Sequence, residues 1–91
     1  MIDKGAYVLA TKYADGDPGD QWSIGFYDRF EGGRHYVVDE DGQQFRGNGF
    51  RRCEPITSEV GRHLIPRMPE LERTPPGEIN VWDIVANLNR T

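Results

Sequence analysis

Apolar and polar positions alternate in short runs across residues 5–56, and the period then changes. Ala6–Lys12 sets Ala6, Val8 and Ala10 on one side and Tyr7, Leu9 and Thr11 on the other. Neither side is fully polar, which predicts a strand partly covered on both faces, as in a small curved sheet. Gln21–Asp28 alternates most clearly, with Trp22, Ile24 and Phe26 opposite Ser23, Gly25 and Tyr27. Gly25 in mid-strand predicts a bend or a close backbone approach. Arg29–Gly33 is expected to close a hairpin, since Gly32 and Gly33 accept positive φ. Arg34–Glu40 follows as a strand with Tyr36 and Val38 opposite His35 and Val37. Asp41-Gly42 signals a tight turn, after which Gln43–Arg46 is expected to pair back as a short strand. Gly47-Asn48-Gly49-Phe50 reads as one helical turn or a kink, and Arg51–Ile56 as the last short strand. Between the first two strands, Ala14–Asp20 (ADGDPGD) is nearly all turn-forming residues and is expected to be a flexible loop.

After Pro55 the rhythm becomes helical. Thr57 or Ser58 is placed to cap a short helix whose apolar side is Val60 and Leu64, weakened by Gly61 and ended by Pro66 and Pro69. Pro75-Pro76-Gly77 reads as a stiff spacer. Asn80–Leu88 reads as an amphipathic helix capped by Asn80, with Val81, Ile84, Val85 and Leu88 on one side. Its β-branched content leaves a strand reading open. Trp82 falls slightly off the apolar stripe, where it can serve the fold or a partner.

Composition narrows the class. Ninety-one residues, 36% hydrophobic and 29% charged, suit one compact domain with a modest core. Eleven glycines and six prolines fit a fold rich in tight turns. The net charge of −4 counts against a general nucleic-acid binder, although a local basic patch is compatible with it. The single cysteine, Cys53, has no intrachain partner for a disulfide, no apolar run is long enough to span a membrane, and the N-terminus does not resemble a secretory signal. The cytoplasm is the expected location.

Four pieces, Gly5-Ala6-Tyr7-Val8-Leu9-Ala10, Trp22-Ser23-Ile24-Gly25-Phe26, Tyr36-Val37-Val38 and Asp41-Gly42, together resemble the SH3-like barrel superfamily and its Tudor-type pattern. The resemblance implies a mainly β fold: about five antiparallel strands in a barrel over residues 1–56, with residues 57–91 as a helical C-terminal extension packed on or beside it. It also implies that Tyr13, Trp22, Tyr27 and Tyr36 stand where such domains wall a cage for a methylated cation, with Asp39 or Asp41 supplying the complementary charge. The plain alternative is that Trp22 and Tyr36 are core aromatics of a small barrel. A second likeness runs over the whole chain. Gly47-Asn48-Gly49-Phe50-Arg51-Arg52-Cys53-Glu54, followed by a short helix and a Trp-containing end, is similar to small proteins carried by bacteriophages and prophages. It implies a phage accessory protein in the host cytoplasm and no particular chemistry.

Arg46, Arg51 and Arg52, joined by Arg34, form the other candidate group. Guanidinium forks suit phosphates or carboxylates, and the amides around Gly47-Asn48-Gly49 suit an anion. Pairing with the abundant surface carboxylates is the plain alternative. The loop Asp15-Gly16-Asp17-Pro18-Gly19-Asp20 begins like a calcium loop, but Gly19 and Phe26 stand where ligands are needed. His35 and His63 have no second ligand at zinc spacing, and Cys53 with His35 lacks an orienting third group. No metal, no cofactor and no enzymatic activity are therefore expected. The expected function is a non-enzymatic protein-binding module, presenting Trp22, Tyr27, Arg34, Tyr36, Arg46, Arg51 and Arg52 to a protein partner such as a host factor. The alternatives are nucleotide or nucleic-acid binding through the arginine and aromatic residues, and a structural or oligomeric subunit.

Overall fold

The computed structural model describes residues 2–12, 22–44, 49–69 and 81–89. The fold is mainly β. Four antiparallel strands, β1 (Tyr7–Thr11), β2 (Trp22–Glu31), β3 (Arg34–Val38) and β4 (Arg52–Pro55), form one unclosed sheet in the order β3-β2-β1-β4. Among the described residues, the helices that follow are α1 (Ser58–Leu64), which runs on into a 3-10 turn at Ile65–Arg67, and α2 (Val81–Asn89). No described helix is long and apolar enough to cross a membrane.

The β2–β3 hairpin departs from the expected boundaries. β2 continues through Glu31, and the connection is the two-residue loop Gly32-Gly33, at φ 60° and 78°. Positive φ at both positions matches the right-handed twist of the flanking strands, and glycine adopts it without a Cβ penalty. The register slips between Tyr27 and Arg29, so Asp28 is a bulge. This interruption hides the end of the strand from an alternation test.

Of the expected short strand Gln43–Arg46, Gln44 forms a bridge to Val38. Phe45 and Arg46 lie outside the described residues. Asp39 explains where β3 stops: its carboxylate accepts from the Asp41 and Gln43 amides at 2.8 and 3.0 Å. Its backbone also bonds Gln43 and Gly42. At the far side, Phe50 exchanges two 2.8 Å backbone bonds with His35, while the next amide, Arg51, donates to Thr11 at 3.0 Å. Residues 50 and 51 thus touch β3 and β1 in succession.

Both faces of the sheet are covered, and Val8, Leu9, Ala10 and Thr11 are fully buried. One face, with Leu9 and Trp22, packs against Val60 and Leu64 of α1 and Val81, Trp82 and Val85 of α2. The other gathers Val8, Ala10, Tyr27, Val37, Phe50 and Cys53, with Ile2 and Ala6 at its margin. The helical segment therefore shares a core with the sheet. α1 begins as expected at Thr57, whose Oγ1 accepts from the Val60 amide at 3.2 Å. Gly61 has a role that helix propensity hides: a Cβ there would collide with the hydroxyl end of the Tyr7 side chain. α2 is helical, which decides between the two readings of that segment. The expected cap Asn80 and spacer Pro75-Pro76-Gly77 lie outside the described residues.

Candidate functional site

The Asp28 bulge has a positional consequence. Without it, Tyr27, Arg29 and Glu31 would share a face. With it, Arg29 pairs with Tyr36 and Phe30 with His35, which brings Phe30 to the side occupied by Tyr27. Ile2, Tyr27, Phe30 and His35 together line an open hollow of about 330 Å³. Phe30 is 58% exposed, and its ring centroid lies 4.9 Å from that of His35. The Tyr27 ring lies 5.8 Å from the same imidazole.

One hydrogen bond organises the hollow. The Tyr27 hydroxyl lies 2.9 Å from His35 Nδ1. We assign the phenol as donor, because its O–H is more acidic than an imidazole N–H; the neutral ring then carries its proton on Nε2. Burial holds His35 below the ordinary histidine value, which keeps the ring neutral and able to accept. Burial, with a smaller contribution from the adjacent Cys53, pushes the Tyr27 phenol up. The Cys53 thiol, buried beneath them, is pushed up to about 12 by burial first and by Glu54 second. It is a thiol, not a thiolate, at neutral pH, and so is a poor nucleophile.

The residues expected to bind are dispersed. Trp22, expected at the groove edge, is 1% exposed and belongs to the core shared with the helices. Its large apolar area does more buried between sheet and helices than on a rim. It points to the opposite face from Tyr27, so these two do not wall a common cage. Tyr36 is half-buried with the Arg29 guanidinium 4.3 Å from its ring centroid, which already places a cation on that ring. Arg29 is also held by Asp28 and Glu31. Tyr13 and the acidic loop Asp15–Asp20 lie outside the described residues. Asp39 shapes a turn, and its carboxylate is occupied there.

The arginines divide similarly. Arg52 lies 4.2 Å over the Trp82 ring and donates to Glu54 at 2.8 Å, fastening β4 to α2 on the helical face. Trp82 is 7% exposed and serves this chain's own core. Arg51 is exposed beside Phe50, and Arg34 is half-buried at the start of β3, so these two flank the His35–Phe50 bridge. Arg46 lies outside the described residues. Among the described residues no group of three His, Cys, Asp or Glu side chains is placed to hold a metal.

Sequence reading missed Phe30 by assigning it to the hairpin turn. The usable signal was Gly32-Gly33: a two-residue loop sets Glu31 opposite Arg34 and hence Phe30 opposite His35. Comparison with protein-family models, with curated proteins and with solved structures finds no match for this chain.

Proposed function

We propose that the chain is a non-enzymatic protein-binding module, built as an SH3-like barrel with helices over one face, and that its partner docks on the Phe30 hollow. The barrel reading is supported by Phe50 and Arg51, which bond to β3 and β1 in turn from the segment entering β4. The docking reading is carried by one observation, the exposure of Phe30 beside the Tyr27–His35 pair in a hollow lined by apolar and aromatic groups. A partner that seats an apolar side chain against Phe30 and offers a carbonyl to the Nε2–H of His35 fits this chemistry. Arg51, exposed next to Phe50 in sequence, is a candidate for a carboxylate of the same partner. The depressed acidity of Cys53 supports a binding role over a catalytic one. The likeness to phage-carried proteins makes a bacterial host factor the partner to seek.

The test is capture from bacterial lysate by the wild type, by Phe30→Ala and by Arg51→Ala, each first matched for folding. The expected result is a protein retained by the wild type and lost at least about tenfold with Phe30→Ala, as for a buried aromatic anchor. Equal recovery by all three, or none by the wild type, overturns the proposal. Recovery that falls steeply with added salt and depends on nucleic acid favours the phosphate-binding alternative instead. Of the arginines that reading needs, Arg52 stacks on Trp82 and bonds Glu54.

A further inference from the structure

The β2–β3 hairpin runs on beyond the strand beside it. β1 begins at Tyr7, and the two residues that lead into it, Gly5 and Ala6, make their bonds to Tyr27 of β2. Gly5 stands at φ 90°, inside a turn closed by the Ala6 amide on the Asp3 carbonyl. A turn of this kind needs the glycine, and it carries the N-terminal segment off the line of the sheet. β2 continues past Tyr27 through Glu31.

The direction of the Phe30 backbone follows from its neighbour across the hairpin. Phe30 pairs with His35, and both backbone groups of His35 are turned outward, where they bond Phe50 at 2.8 Å. In an antiparallel ladder such a pair is non-hydrogen-bonded, so the N–H and C=O of Phe30 also turn away from β3. They point to the side that β1 has left, and neither is hydrogen-bonded among the described residues. One edge of this hairpin is thus filled by Phe50, and the other is open at an exposed residue.

We infer that Phe30 is a strand-addition site: the partner docks as an extended segment that pairs with the open N–H and C=O of Phe30, on the line that β1 vacates. This rests on the proposed docking reading and specifies the shape of what docks. Residues directly opposite in a ladder share a face, so the side chain paired with Phe30 lies beside its ring, in the hollow with Tyr27 and Ile2. An apolar side chain suits that place, and its neighbours in the segment point to the other face. Charge selects further. Lys4 borders the vacated line with its ammonium 3.7 Å from Asp28 and its side chain 81% exposed. An ion pair so open is weak, and Asp28 is also held by Arg29, so a carboxylate of the segment gains a partner at Lys4. The same lysine discourages apolar strands that lack the complementary charge.

The experiment selects peptides from a random library on the folded full chain, then follows backbone amide exchange by NMR with the most enriched peptide added. In the free chain the Phe30 amide is expected to exchange freely while that of His35 is protected. With the peptide bound, protection at Phe30 rises at least about tenfold. The enriched sequences carry an apolar residue and a carboxylate, and Lys4→Glu weakens their binding. A chemically synthesised chain with N-methylphenylalanine at position 30 keeps the ring and loses the donor. It is expected to fold, because that donor is unpaired, and to bind the peptide at least about tenfold more weakly. If it does not fold, exchange at Phe30 decides alone. No enriched peptide, a bound peptide that leaves the Phe30 amide unprotected, or undiminished binding by the methylated chain overturns strand addition. So does a Phe30 amide already protected in the dilute free chain, where a segment of this chain fills the edge, or one protected only as protein concentration rises, where a second copy does. Lysate capture that is lost with Phe30→Ala but kept by the methylated chain leaves the docking site standing and removes only the added strand. Equal capture by all three chains removes the docking site itself.

Discussion

At the residue scale, the two most conspicuous aromatics exchange the roles that the sequence suggests. Trp22 leads the best-patterned strand and is expected at the groove edge, with a core aromatic as the plain alternative; it is core, because the helices arrive on its face. Phe30 sits in what reads as a turn and is the exposed ring. The two therefore separate in a denaturation experiment. Trp22→Ala is expected to cost about 3–5 kcal/mol, a large share of the stability of a small domain, whereas Phe30→Ala stays within about 0.5 kcal/mol of wild type. Urea midpoints check both, and equal losses would contradict the assignment. His35 adds a pH dependence. Its acidity is shifted so that the folded state prefers the neutral ring more than the unfolded chain does. The stability this contributes is complete above about pH 6.5 and is lost as the pH falls through the lower folded value. The wild type should lose more stability than His35→Gln between pH 7.5 and pH 5.0, in paired urea titrations.

At the element scale, what was legible follows from locality. Strand alternation around Trp22–Phe26, the Thr57 cap and the apolar stripe of α2 depend on near neighbours in sequence, and each element forms where its pattern lies. Three features depend on contacts that sequence distance conceals. The bulge at Asp28 moves Phe30 to a new face, the Asp39 carboxylate shortens β3, and Gly61 admits the Tyr7 ring from β1. The last makes a sharp prediction. In an exposed helix, glycine to alanine stabilises by up to about 1 kcal/mol. Here Gly61→Ala must displace Tyr7, so a loss of about 1–3 kcal/mol is expected, as for overpacking. A rise in the thermal midpoint of Gly61→Ala would show that the ring does not lie against α1.

At the scale of the whole molecule, the sheet and the helices that follow residue 56 share a core. Leu9 and Trp22 from the sheet, Val60 and Leu64 from α1, and Val81, Trp82 and Val85 from α2 bury one another, and Arg52 stacks on Trp82 across the join. The helical part was legible as helix but not as core, because the stripe of α2 says which side is apolar and not what it meets. Removing residues 57–91 would expose Leu9 and Trp22 together, so the remaining chain should lose its cooperative thermal transition by circular dichroism. A sharp transition in that fragment would mean that the sheet stands alone. One face of the sheet packs against the helices, and the Phe30 hollow, where we propose that a partner docks, lies on the other. The most direct measurement places a photoreactive benzoyl-phenylalanine at position 30 or, as a control, at position 65, where Ile65 is also exposed at 49%. After irradiation in bacterial lysate, the account predicts a discrete cross-linked protein from position 30 and not from position 65. Adducts from position 65 alone, or none from position 30, would contradict it.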